Sequence, residues 1–123
     1  MQGLHLTADL HRCQCEAAWL TQAQALGAFC VDAVNAAGLH VVNQIFHTFP
    51  ATEHGPGGVT ATVLLAESHL CVHTWPEQQA VTLDVYVCNF GGDHSAKAQA
   101  LMTTLVALFA PAQVTHNRLL RGQ

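Results

Sequence analysis

Twelve consecutive residues gather the reactive side chains of this sequence: Ala66-Glu67-Ser68-His69-Leu70-Cys71-Val72-His73-Thr74-Trp75-Pro76-Glu77. They hold two carboxylates, two hydroxyls, two imidazoles, a thiol and an indole between runs that are almost wholly apolar. Three familiar chemistries fit them poorly. His69, Cys71 and His73 share one face of a strand, but strand geometry spreads i, i+2, i+4 side chains over about 13 Å. Those three cannot converge on one zinc ion, and no paired Cys-x2-Cys or His-Glu-x2-His motif is present, so no metal is expected. Cys13-x-Cys15 alone is a weak hint. Ser68 lacks a Gly-x-Ser-x-Gly setting, so a hydrolase nucleophile elbow is unsupported. A Cys88–His73 pair is possible in space, although a cysteine in an apolar strand is more often a core residue. Gly55-Pro56-Gly57-Gly58 is not followed by a Gly-Lys-Ser/Thr ending or an evident helix, and reads as a loop rather than a phosphate cradle.

The Glu67-Ser68 step offers a fourth chemistry. A serine hydroxyl held in a strained turn can attack the carbonyl carbon that precedes it, turning the amide into an ester. Elimination of the Glu67 carboxylate, followed by hydrolysis, leaves a pyruvoyl group on residue 68. Such a keto-amide condenses with an amine and draws electrons from the adjacent carbon, the electron-sink task that pyridoxal phosphate performs elsewhere. Pyridoxal phosphate normally needs a lysine, and the one lysine, Lys97, lies on a predicted helix without a phosphate-binding partner. A Glu-Ser pair by itself is common in loops.

The rest of the chain must position that step. Its 123 residues suit one domain. Half are hydrophobic and a tenth charged, apolar enough for so small a chain to expect burial against another subunit. The net charge is −4, and Arg12, Lys97, Arg118 and Arg121 form no cluster, which argues against nucleic acid or anionic lipid as partner. No apolar run reaches the roughly 18–20 residues of a membrane span. The start lacks a basic n-region, and five cysteines without a disulfide ladder fit a reduced, cytoplasmic protein.

Alternation predicts a strand over 3–9 (Leu4, Leu6 and Ala8 on one face), then a loop over 10–15. Apolar residues at spacings of three and four predict a helix from 16 to 37, closed by Gly38. Strands are expected over 40–49, 59–66, from 68 to about 75, and over 80–88. A flexible connection spans 51–58 and a turn 76–79. After a glycine-bearing turn at 89–93, a second helix runs over 94–109, capped by Asp93 and stopped by Pro111, and a last strand covers 112–120. The order β-α-β-β-β-β-α-β predicts an α+β two-layer sandwich, an antiparallel meander with two helices on one face.

Glu67-Ser68-His69-Leu70-x-Val72-His73-Thr74-Trp75-Pro76-Glu77 and the following Asp84-Val85-Tyr86-x-Cys88 resemble the prokaryotic S-adenosylmethionine decarboxylases. So do Gly3-x-His5-Leu6-x-x-Asp9 and Phe46-His47-x-Phe49. The resemblance implies a self-processing enzyme that is cut between Glu67 and Ser68. The products are a β chain of residues 1–67 and an α chain of residues 68–123, with a pyruvoyl cofactor derived from Ser68. It implies that His73 transfers a proton during processing and that Cys88 is the general acid returning a proton to the substrate's α-carbon. Glu77 is implied to bind the ribose hydroxyls and Phe49 to stack on the adenine. Asp9 stands where the family carries an acidic residue, near the active site or merely on a strand surface. The implied substrate is S-adenosylmethionine, the product serves polyamine (spermidine) synthesis, and the implied assembly is a homodimer of processed protomers.

The chain departs from the family at three places. Thr60 stands where serine often supports processing. Gln78-Gln79-Ala80-Val81-Thr82 replaces an aromatic, glycine-containing stretch, and Asn89 follows Cys88 where glycine is usual. Two alternatives stay open: decarboxylation of ornithine or arginine on the same scaffold, and a non-cleaving regulatory relative.

Overall fold

A computed structural model describes residues 1–123. The elements are β1 (Gly3–Cys13), α1 (Ala18–Thr21), α2 (Ala23–Ala36), β2 (Val41–Thr48), β3 (Val59–Leu65) and β4 (Ser68–Trp75). A 3-10 turn (Pro76–Gln78) leads to β5 (Ala80–Cys88), α3 (Ser95–Phe109) and β6 (Pro111–Arg121). The six strands form one antiparallel sheet in the order β2-β3-β4-β5-β1-β6. This is the expected α+β two-layer architecture, with two differences in detail. The meander runs unbroken only from β2 to β5. β1 then inserts between β5, which pairs with it as far as Leu10, and β6, whose pairing carries it on to Cys13.

The helix expected over 16–37 is broken at Gln22, whose backbone is extended (φ −114°, ψ 102°). The cause is tertiary. Thr74, buried on β4, donates its hydroxyl to the Leu20 carbonyl at 2.7 Å and accepts the Val59 amide at 2.8 Å. A carbonyl that a continuous helix would bond internally is thereby tied to the sheet. The last strand begins at Pro111 itself. Proline is tolerated there because β6 is an edge strand with one neighbour.

Alternation places Leu4, Leu6, Ala8 and Leu10, with Val81, Leu83, Val85 and Val87, on the face covered by the helices. Leu26, Cys30 and Val34 of α2 and Leu101, Leu105 and Phe109 of α3 close over them as one core. Gly27 allows the closest approach, since a Cβ there would lie 2.3 Å from the Phe46 ring. The other face of the sheet carries no helix. Across its register stand the rows His5–Tyr86–His69, Thr7–Asp84–Cys71 and Asp9–Thr82–His73. Ile45, Leu64, Trp75 and Leu119 are exposed on it. No helix is long and apolar enough to cross a membrane.

Candidate active site

Ala66 and Glu67 form a two-residue turn between Leu65 and Ser68, which pair with each other. Glu67 lies in the left-handed region at φ 54°. A residue with a Cβ pays about 1–2 kcal/mol for that conformation, so the bond ahead of Ser68 sits in a locally strained turn. The Cys88 amide donates to Ser68 Oγ at 3.0 Å. That hydrogen bond occupies an oxygen lone pair and leaves the hydroxyl proton free to be removed.

Ser68 and Cys88 line a cavity of about 180 Å³ together with His40, Glu67, Phe90 and His94. The imidazole of His94 carries no functional signal in the sequence, where it marks only the start of a helix. Its Nδ1 is buried without a hydrogen-bond partner. Asn89, one of the departures from the family pattern, braces this corner. Its Oδ1 accepts the His94 amide at 2.8 Å and its amide donates to Ser95 Oγ at 3.3 Å. Asp93 Oδ1 accepts the Ser95 amide at 2.9 Å, which holds its carboxyl below the usual range. The cap expected at Asp93 falls instead on His94, because α3 begins at Ser95, and Asp93 steadies the turn from one residue further out.

A second and larger cavity, about 640 Å³, opens at the other end of β4 between the 51–58 loop and the turn after Trp75. Phe49, Thr60, His73, Trp75 and Glu77 line it. Thr60 Oγ1 and His73 Nδ1 are 2.9 Å apart, a hydrogen bond across the β3–β4 pair. Phe49 is about half exposed and packs edge-on to His47, with centroids 4.7 Å apart. The volume falls in the range of small-molecule sites, roughly 300–1,000 Å³. Gly57 and Gly58 give the loop its shape. A Cβ on either would meet a backbone oxygen, of Phe49 or Thr74 respectively, at 2.1 Å.

One chain therefore assembles two sets and keeps them apart. Ser68 lies with Cys88, and Thr60 lies with His73, Phe49 and Glu77. His73 is five residues along β4 from Ser68, about 16 Å at strand rise. It also has the opposite parity: Leu70, Val72 and Thr74 are buried against the helices, whereas His73 and Trp75 point to the open face. Asp9 stands on the open face opposite Thr82 and lines neither cavity.

The other thiols have no comparable setting. Burial pushes Cys13 up to about 11 and Cys30 to about 12, and raises Cys15 and Cys71 as well. His69, Cys71 and His73 do not form a metal cluster. The three groups that do converge are His5, His69 and Asp84.

The profile of the S-adenosylmethionine decarboxylase family matches residues 4–122. The S-adenosylmethionine decarboxylase proenzyme of Picrophilus torridus is 32% identical over 120 residues, 98% of this chain and 84% of that protein. The proenzyme of the same name from Parasynechococcus marenigrum is 38% identical over 100 residues, 81% of this chain and 70% of that protein. The crystal structure of the adenosylmethionine decarboxylase from Aquifex aeolicus VF5 superposes with a TM-score of 0.84 at 31% identity, covering 98% of this chain and 91% of that one. With sequence and fold agreeing over nearly its whole length, the chain belongs to the S-adenosylmethionine decarboxylase family.

Proposed function

We propose that the chain cleaves itself between Glu67 and Ser68 and, once cleaved, decarboxylates S-adenosylmethionine, yielding the aminopropyl donor for spermidine synthesis. The observation that carries this is the Glu67-Ser68 turn: a left-handed glutamate, a serine oxygen held by the Cys88 amide, and a cavity beside both. Ser68 Oγ attacks the Glu67 carbonyl carbon, and the C–N bond breaks as the ester forms. Breaking that bond also relieves the strain at Glu67. Removal of the Ser68 α-proton then expels the Glu67 carboxylate. Hydrolysis with loss of ammonia leaves the pyruvoyl end of residues 68–123, while residues 1–67 end at Glu67. The family relatives are themselves called proenzymes, in keeping with such processing.

The pyruvoyl group supplies the electron sink for loss of carbon dioxide. Cys88, adjoining Ser68 at the cavity wall, donates the proton that replaces it. Phe49 offers its half-exposed ring to the adenine and attracts the sulfonium charge, and the Glu77 carboxylate accepts hydrogen bonds from the ribose hydroxyls.

These roles require a second copy of the chain. His73, hydrogen-bonded to Thr60, is the proton-transfer group of processing, yet it is remote from Ser68 of its own chain. In a homodimer, Thr60, His73, Phe49 and Glu77 of one copy approach Ser68 and Cys88, which stand at the strand ends of the other. The exposed Ile45, Leu64, Trp75 and Leu119 supply the apolar contact such packing needs. Asp9 stands on the same face and lies inside this interface. All five cysteines are free, which supports a reducing, cytoplasmic setting.

Intact-mass spectrometry tests the cleavage. Two chains are expected, the smaller (residues 68–123) lacking a free amine at residue 68, and Ser68→Ala stays whole. A single stable full-length mass refutes the proposal. Carbon dioxide release from S-adenosylmethionine, ornithine and arginine side by side tests the substrate. The Phe49–Glu77 cavity predicts turnover of the first alone. Cys88→Ala is expected to be cut but to lose about 10²–10⁴ in kcat.

A further inference from the structure

We propose that His5, His69 and Asp84 form a binding site for one first-row divalent ion of the zinc type. The three side chains come from three neighbouring strands, β1, β4 and β5, and meet on the open face of the sheet. His5 and His69 both stand opposite Tyr86, and Asp84 is two residues before Tyr86 on the same face. His5 Nε2 lies 2.7 Å and His69 Nε2 2.9 Å from the same oxygen, Asp84 Oδ1. All three donor atoms lie within 4.8 Å of one another.

Bonds of about 2.0–2.2 Å in a tetrahedral site place ligand atoms about 3.4 Å apart. The two short contacts need to open by about 0.5–0.7 Å, a side-chain adjustment on a rigid sheet. The rings are already fixed. His5 packs edge-on to Tyr86 and to His69, with centroids 5.7 and 6.1 Å apart. In the single chain the side chains are 18% (His5), 36% (His69) and 38% (Asp84) exposed, so the fourth position is left to water or to a group of the partner copy that covers this face. Two imidazoles and one carboxylate suit Zn²⁺, Co²⁺ or Ni²⁺ and are too nitrogen-rich for Mg²⁺ or Ca²⁺.

Arg121 gives the proposal a second handle. Its Nη1 donates to His5 Nδ1 at 3.0 Å, and its guanidinium lies 5.7 Å from the Tyr86 ring. A histidine that accepts at Nδ1 carries its proton on Nε2, and that proton points at Asp84. An ion binds Nε2 only in the other tautomer, with the proton on Nδ1, where it meets Arg121. The arginine therefore competes with the metal through both its hydrogen bond and its charge. It is exposed on the edge strand and free to leave.

The site stands independently of the self-cleavage reading. Its test is titration of the full, chelator-treated protein with Zn²⁺ by calorimetry and with Co²⁺ by visible absorption. One ion per chain is expected, without the thiolate charge-transfer bands of a cysteine site. His69→Ala and the isosteric Asp84→Asn abolish binding, and Arg121→Ala tightens it roughly tenfold, the net worth of one hydrogen bond. If His69→Ala does not fold, Asp84→Asn carries the test alone, with its circular dichroism matched to the parent. Absence of binding, binding that survives Asp84→Asn, thiolate bands, or an Arg121→Ala variant that binds no tighter each overturns the proposal.

Discussion

If His73 acts across a dimer, two defective chains will repair each other. The single variants are His73→Ala, which keeps the reacting serine, and Ser68→Ala, which keeps the histidine. Each alone stays uncut or nearly so, because loss of a proton-transfer group costs about 10²–10⁴ in rate. The separation along β4, about 16 Å with opposite side-chain parity, is far too long for any rotamer of His73 to serve its own Ser68. In a mixed dimer the serine of the His73→Ala chain faces the intact histidine of the Ser68→Ala chain. Random pairing of equal amounts gives about half of the His73→Ala chains such a partner in a two-fold dimer. About half of those chains should then be cut, and none of the Ser68→Ala chains. Co-expression with two affinity tags, followed by intact-mass analysis of each tagged chain, reads the outcome. The reasoning is refuted if mixed dimers form and no His73→Ala chain is cleaved, or if His73→Ala alone is cut at the parent rate.

Thr60→Val removes the hydroxyl that bonds His73 Nδ1 and should slow cleavage about tenfold, one hydrogen bond's worth. Thr60→Ser should restore it in a time course of chain splitting. Gly27→Ala drives a methyl into the Phe46 ring and should destabilise the fold by about 1–3 kcal/mol, measured by denaturant unfolding. Cys30 is held protonated by burial, its pKa pushed from 9.0 up to about 12. Its contribution to stability is therefore fully present below pH 9 and is lost as pH rises towards 12. Cys30→Ala should flatten the alkaline fall of the melting temperature. An unchanged slope from pH 8.5 to 10.5 in that variant would contradict the assignment.

Local chemistry made much of this legible in advance. Alternating apolar residues in β1 and β5 announced both the strands and the face each buries, because one side-chain period serves both purposes. The Ser68–Cys88 contact also follows from sequence once Pro76–Gln79 is read as a turn. Antiparallel register then sets the start of β4 against the end of β5. The break in the first helix did not follow, since helical spacing continues through Gln22. A buried Thr74 hydroxyl, distant in sequence, redirects the Leu20 carbonyl. The cavity-lining imidazole of His94 left no signal beyond its nearness to a helix start. Its burial depends on how Asn89 ties the loop to α3.

The same division runs through the polar residues of the sheet. Sequence alone pointed to the Glu67-Ser68 step and the motifs that accompany it, because the proposed chemistry depends on neighbours along the chain. Tertiary structure decided which residues meet across strands. His69, Cys71 and His73 share one face of one strand, and the strand rise keeps them apart. His69 instead meets His5 and Asp84, 64 and 15 residues away, because the order β4-β5-β1 places those three strands side by side. His73, five residues after Ser68 in the same motif, ends on the other face of the sheet, since an odd offset along a strand reverses the direction of the side chain.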